Sequence, residues 1–226
     1  LQTSGKGVRD DTSYARLIDC MSARIIVASP DSPLYDGVWQ KNEIQKLTLE
    51  KTAGTIRLWT NNNALPRAYW VPSWRVASTT EEVIATLVRD DFDPYAECLL
   101  DSPPNFSANP AARQNQSNDT PDTAKNPAPA VSCAIVQDAP EHVVVACETP
   151  SDGILVLADQ IAKGWVALVD GRQTPILRAN GLFRGVALPP GKHQVEFIYR
   201  PRSFVAGAGT SVAGIAFAVF LAFRKT

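Results

Sequence analysis

Residues 132–200 read SCAIVQDAPEHVVVACETPSDGILVLADQIAKGWVALVDGRQTPILRANGLFRGVALPPGKHQVEFIYR. Strand patterns follow one another through this stretch at 132–137, 142–148, 153–159, 165–170, 172–177, 182–188 and 192–200, with turn residues between them. Short strands at this spacing predict an antiparallel β-sandwich, Ig-like or jelly-roll-like, over 131–201. GILVLAD at 153–159 is apolar at nearly every position and reads as a central strand covered on both faces. HQVEFIYR at 193–200 instead sends Val195, Phe197 and Tyr199 to one face. Asp170-Gly171 is the dipeptide of a two-residue hairpin turn.

Pairing of Ile135 with Val145 across a turn near Pro140 sets Cys133 opposite Cys147 on the adjacent strand. A cross-strand disulfide is permitted outside the cytoplasm; two buried free thiols are the alternative. Neither these cysteines nor Cys20 and Cys98 form a C-x-x-C pair or a Cys/His spacing suited to zinc.

Upstream, residues 102–130 turn to Pro, Asn, Ser, Ala and Gln with hardly any large apolar side chain, too little burial to offset the entropy of ordering. The stretch reads as a disordered linker, and its Asn-x-Ser/Thr triplets at Asn105, Asn115 and Asn118 are what such a composition produces by chance. Residues 1–101 read as a small α/β lobe. A helix over 12–23 carries Tyr14, Leu17, Ile18 and Met21 on one face behind the caps Thr12 and Ser13. A buried strand ARIIVAS follows, then a hairpin of IQKLTLE and TIRLWTN around Lys51 to Gly54, and a strand over 68–76. Thr79, three residues before Glu82, opens a second helix with a capping box, and Val83, Ile84 and Leu87 form its apolar face. The acidic loop at 90–94 lacks the Gly and terminal Glu of a calcium loop and reads as a solvated turn.

Downstream, Ser203 to Phe223 contains no charged residue, and at about 1.5 Å per residue it reaches roughly 31 Å, the thickness of a bilayer's hydrocarbon core. The expectation is one C-terminal transmembrane helix over 203–223. Ala206, Thr210 and Gly214, with Gly207 and Ser211 alongside, make small-xxx-small rows that suit packing against other transmembrane helices of a parent protein. Arg200 and Arg202 before the helix balance Arg224 and Lys225 after it, so local charge sets no orientation. The chain opens at Leu1 in a polar stretch with neither Met nor a signal-peptide pattern, and is expected to be a fragment of something longer.

Chemistry is sparse. With 22 basic and 23 acidic residues, nothing in the charge recruits nucleic acid. There is no G-x-S-x-G elbow, and His142 and His193 read as exposed strand histidines. Gly5-Lys6-Gly7 is too short for a phosphate loop. No catalytic residue, metal site or cofactor is expected in this chain. Candidate ligand contacts gather in 158–185: Trp165 would stack on a sugar ring, with Asp159, Arg178, Asn180 and Arg184 reaching its hydroxyls. The competing reading makes Trp165 core and Asn180-Gly181 a turn.

The stretch ADQIAKGWVALVDGRQTPILRANGLFRGVALPPGKHQVEFIYRPRSF, running into a hydrophobic helix, resembles the C-terminal end of YfhO-type bacterial membrane proteins. RLIDCMSARIIVASPDSPL and NNNALPRAYWVPSWRV resemble segments preceding that end. The W-x-A-x-V-D-G, I-L-R-A-N and F-R-G-V elements followed by P-G-x-H carry the likeness in order and spacing. It implies the non-catalytic extracytoplasmic C-terminal region of a polytopic protein in the bacterial cell membrane. Such proteins resemble lipid-linked-sugar glycosyltransferases of the GT-C type, acting in cell-envelope glycan modification, with their catalytic acids near the first transmembrane helices and outside this chain. Membrane lipid, the parent's helices, and a glycan or lipid-linked sugar are the implied partners. The rival class is a membrane-anchored carbohydrate-binding or protein-interaction module with no enzymatic parent.

Overall fold

The computed structural model describes residues 18–30, 47–89, 91–106 and 131–224. The linker from 107 onward, Gly5-Lys6-Gly7, Thr12 to Leu17, Asp90, Asn115 and Asn118 lie outside the described residues.

Among the described residues, the assigned elements are fifteen strands and two helices, in chain order. The strands are β1 (Ile25–Ala28), β2 (Leu47–Ala53), β3 (Ile56–Asn61), β4 (Ala68–Val71), β5 (Ser73–Val76), β6 (Glu97–Leu100), β7 (Val131–Ser132), β8 (Ala134–Ala139), β9 (His142–Thr149), β10 (Gly153–Gln160), β11 (Trp165–Val169), β12 (Arg172–Thr174), β13 (Leu177–Ala179), β14 (Phe183–Leu188) and β15 (Gly191–Tyr199). Helix α1 covers Thr80–Leu87 and helix α2 covers Arg202–Arg224. The strands form a three-stranded sheet in order β1-β3-β2, a seven-stranded sheet in order β5-β6-β13-β14-β10-β4-β7 and a five-stranded sheet in order β12-β11-β15-β9-β8.

The chain is mostly β, and its organising layer is the seven-stranded sheet. On one face Trp70, Leu155, Leu157, Val186 and Leu188 interlock with Val143, Val145, Ala167, Val195 and Phe197 of the five-stranded sheet. On the other, Tyr69, Val71, Ile154, Val156 and Ala179 pack beneath Val83 and Leu87 of α1 and beneath Cys20, Leu65 and Phe92. Strand β10 is covered on both sides, as its unbroken apolar run requires. The small sheet keeps its own cluster of Ile26, Ala28 and Trp59.

Strands from both sides of residues 102–130 share one sheet. β10 pairs antiparallel with β4, Ile154 opposite Val71 and Leu157 opposite Ala68, and β13 pairs with β6 through Ala179 and Leu100. The sandwich therefore does not stand on 131–201 alone: one of its two sheets is completed by strands of the 1–101 region. Prolines divide two expected strands. Pro72 separates β4 from β5, and 172–177 breaks at Pro175, so that β12 stays in the five-stranded sheet while β13 enters the other.

Local signals fare well where they are self-contained. Glu82 N–H donates to Thr79 Oγ1 at 3.2 Å, while Glu82 Oε2 accepts from Ser78 N–H at 3.0 Å, closing the N-terminus of α1. Asp170 and Gly171 sit at φ 51° and 78°, and Asn180 and Gly181 at 49° and 75°, the left-handed pairs of tight hairpin turns.

The expected membrane span over 203–223 is corrected. The segment is helical within α2, but among the described residues no helix is long and apolar enough to cross a membrane. Ala, Gly, Ser and Thr fill much of the first half of α2, and such residues add little apolar area apiece.

Gly153 opens β10 where a Cβ would overlap the Trp70 indole, itself without solvent exposure. Gly153→Ala should lower unfolding free energy by about 1–3 kcal/mol in urea titration; an unchanged midpoint would show that the indole can shift at no cost.

Candidate functional site

The candidate residues divide between two places. Asp159, Trp165 and Arg184 meet at one end of the interface between the two large sheets. Arg184 stands opposite Leu157 in the β10–β14 ladder, and after Leu157 the register shifts so that Gln160 pairs with Phe183. That irregularity leaves the Gln160 carbonyl accepting from Arg184 Nε at 3.2 Å. The guanidinium lies over the Trp165 ring, 3.6 Å from its centroid, and Trp165 in turn meets its cross-strand neighbour Tyr199 at 5.3 Å.

Arg184 is a buried cation, its side chain 6% exposed. Burial lowers its pKa, Asp159 opposes that, and Arg67 adds to it. Its Nη1 stands 3.7 Å from Asp159 Oδ2 and is buried with no hydrogen-bond partner in the protein. Asp159 is committed elsewhere: Arg67 donates to both its oxygens, Nε at 2.8 Å and Nη2 at 3.0 Å, and reaches Asp138 with Nη1 at 2.7 Å. The bond to Asp159 is the largest of the influences that raise the Arg67 pKa. Arg67 precedes β4, Asp138 belongs to β8 and Asp159 to β10, so this network ties the two sheets together.

Arg178 stands directly opposite Arg184 in the β13–β14 ladder, yet it is turned to solvent, 3.9 Å from Asp101 and 3.5 Å from the Gly181 carbonyl. Asn180 is buried and acts as a surrogate strand residue. Its backbone N–H donates to the Leu99 carbonyl at 2.7 Å, its Oδ1 accepts from the Leu99 N–H at 2.9 Å, and its Nδ2 donates to Tyr69 Oη at 3.4 Å.

For sugar stacking the geometry is unfavourable at one face of Trp165, because Arg184 already occupies it. Arg67, Asp138 and Tyr199 complete the cluster and escaped the sequence reading. Arg67 and Asp159 are 92 positions apart, and nothing local to NALPRAYW marks the arginine as a partner.

Hollows lie away from the Trp165 cluster. One of about 240 Å³ is lined by Asp19, Cys20, Leu65, Phe92, Asp93 and Tyr95. Another, of about 230 Å³, lies beside the start of α1 between Thr79, Val83, Asp101 and Arg178. Neither brings a histidine next to a nucleophile. Burial pushes the Cys98 thiol well up, which keeps it protonated and unreactive. Among the described residues no group of three or more His, Cys, Asp or Glu is placed to hold a metal ion.

Cys133 and Cys147 are joined as a disulfide with their Cα atoms 4.6 Å apart, whereas Cys20 and Cys98 are free and buried. Cys133 stands between β7 and β8, where the chain crosses from the seven-stranded to the five-stranded sheet, and its N–H donates to the Ala68 carbonyl at 3.3 Å. The bridge thus fastens that crossing to β9.

The family model of the bacterial membrane protein YfhO matches residues 130–211. The YfhO match begins at the crossing strand β7, takes in the whole five-stranded sheet with β10, β13 and β14, and ends inside α2. The Arg184–Trp165 stack and the disulfide both fall within the matched residues, while Arg67 is supplied from outside them. No curated protein and no solved structure matches the chain.

Arg184→Ala should cost about 2–4 kcal/mol, since it opens a void over Trp165 and leaves Asp159 facing Arg67 alone. Arg184→Met fills the same space without the buried charge and should stay within about 1 kcal/mol of the parent. Chemical denaturation of both variants checks this; a loss as large for Met as for Ala would mean that the charge, not the packing, holds this end.

Proposed function

We propose that this chain is a non-catalytic extracytoplasmic region of a polytopic bacterial membrane protein resembling the GT-C lipid-linked-sugar glycosyltransferases, serving cell-envelope glycan modification. The match of residues 130–211 to the YfhO family carries the reading. The Cys133–Cys147 bridge supports the extracytoplasmic side, because reducing compartments keep such thiols open. Helix α2 supports attachment to a larger body: Val212, Ile215, Phe217 and Phe223 are all exposed on it, an apolar surface that other helices of the same protein would cover. The role is organisational. The charges of Arg67, Arg184, Asp138 and Asp159 balance one another at one end of the sandwich rather than converging on an open cleft. Chemistry then belongs to other parts of the parent protein, with this region shaping the outer surface over which a lipid-linked sugar reaches its acceptor.

The test uses the full-length membrane protein in cells. Ser151, exposed between β9 and β10, is replaced by cysteine and probed with a membrane-impermeant maleimide. Labelling of intact cells is expected, with Cys133 and Cys147 resisting alkylation until reduced. Labelling only after permeabilisation would overturn the extracytoplasmic placement. Deletion of 131–200 in the same protein, with its level in the membrane checked, should change envelope glycan composition; an unaltered glycan profile would remove the link to glycan modification.

A further inference from the structure

The two histidines, expected to be alike, differ in what faces them. His142 Nδ1 meets the Gln137 amide Nε2 at 3.1 Å and its Nε2 meets Glu196 Oε2 at 3.1 Å. A neutral imidazole satisfies both, accepting from the amide and donating to the carboxylate. His193 is held between two acceptors: Asp170 Oδ2 lies 2.8 Å from Nδ1 and the Pro189 carbonyl 3.0 Å from Nε2. A neutral ring has one N–H to offer, so with Asp170 ionised only the imidazolium satisfies both contacts. Water reaches the half-exposed Asp170 carboxylate but has little access to the ring itself, whose side chain is 10% exposed.

We infer that His193, Asp170 and the Pro189 carbonyl form a proton-dependent latch joining the β11–β12 turn to the β14–β15 turn, closed when the imidazole is protonated and loosened when it is neutral.

The surroundings make the latch a junction of three loops. Asp170 Oδ1 accepts from the Gln194 N–H at 2.9 Å, and the Asp170 N–H donates to the Gln194 carbonyl at 2.9 Å. The Pro189 carbonyl also accepts from Thr149 Oγ1 at 2.6 Å, bringing in the end of β9. Gly191, at φ 136°, lets the backbone turn beneath the ring, where a Cβ would come 3.5 Å from His193 Nε2.

Charged groups around the pair are few. Arg172 acts on the Asp170 carboxylate from β12. On β9, His193 stands opposite Cys147, which is bonded to Cys133 and does not titrate. Lys192 and Glu148, 3.7 Å apart, are one residue along their strands and so point to the opposite face of the sheet. Burial pushes the Asp170 carboxyl up, but the Gln194 N–H, His193 and Arg172 outweigh it and hold it below the usual carboxylate range. The acid limit of the latch therefore lies where Asp170 is finally protonated, as pH falls through its lowered pKa.

The test is amide hydrogen exchange on the full 226-residue chain at pH 5 and pH 8, expressed as protection after correction for intrinsic rates. Protection at Asp170 and Gln194 should fall about tenfold at the higher pH relative to the core amides of β10, the loss of one charge-assisted hydrogen bond. His193→Gln, whose amide offers a donor and an acceptor at both pH values, should abolish that relative fall. Asp170→Asn should abolish it too, since its amide donates to a neutral ring, and it serves if the first variant does not fold. A constant ratio in the parent chain, or the same fall in either variant, would overturn the latch.

Discussion

The two large sheets are arranged around central strands that have no free face. β10 and β14 run through the middle of the seven-stranded sheet, and Ile154, Leu155, Val156 and Leu157 are all without solvent exposure. A strand apolar on both sides needs a layer above and a layer below. The five-stranded sheet supplies one, and α1 with the loops around Leu65 and Phe92 supplies the other. Trp70 stands opposite Leu155, and its indole reaches along the inner layer so far that Gly153, two residues away on β10, has no room for a Cβ.

That constraint explains which parts of the fold were legible in the sequence. GILVLAD announces a doubly covered strand by its composition, and Asp170-Gly171 and Asn180-Gly181 announce their turns because the left-handed pair is a local demand. Ile135 does stand opposite Val145, but the short turn alone does not set that register: it pairs Gln137 with Val144, and a bulge between Ile135 and Gln137 shifts the ladder by one residue. What covers β10 was not legible. β4 reaches it from the other side of the 102–130 stretch, and no periodicity in AYWV specifies a partner more than eighty positions away. Pro72 and Pro175 were visible as breakers, but a breaker says only that a strand ends, and each of these hands the chain on to a new place in the sheets.

The same distinction runs through the candidate site. Trp165 and Arg184 stood out as residues capable of binding a sugar, yet their roles depend on each other: the guanidinium takes one face of the indole. Asn180 was suspected of being a turn residue, and its buried side chain completes the pairing of β13 with β6 as well. A polar residue in a distinctive segment carries two explanations until its partners are known, and here the partners Arg67, Leu99 and Tyr199 come from distant strands. Likewise the two histidines share a residue type and a strand setting, and only their neighbours separate a ring satisfied when neutral from one that calls for a second proton.

The sandwich is fastened at its two ends by different chemistry. Along β15, Tyr199 lies at the Trp165 end and His193 at the Asp170 end, so the registers place the arginine network and the latch at opposite extremes of the same strand pair. Arginine does not lose its proton in the physiological range, so the Arg67–Asp159–Arg184 network keeps its charges as pH changes, and His142, which lies toward the same end, is satisfied as a neutral ring, whereas His193 at the other end is not. α2 departs from the arginine end, where the Arg200 N–H donates to the Gly164 carbonyl at 2.6 Å and Gly164, at φ 103°, packs against Tyr199 and Pro201. The helix is thus rooted in the fixed end of the sandwich. Loosening of the His193 latch frees the turns farthest from that root while the connection to the helix holds, so a change of pH would alter the distal loops without disturbing how the sandwich joins α2.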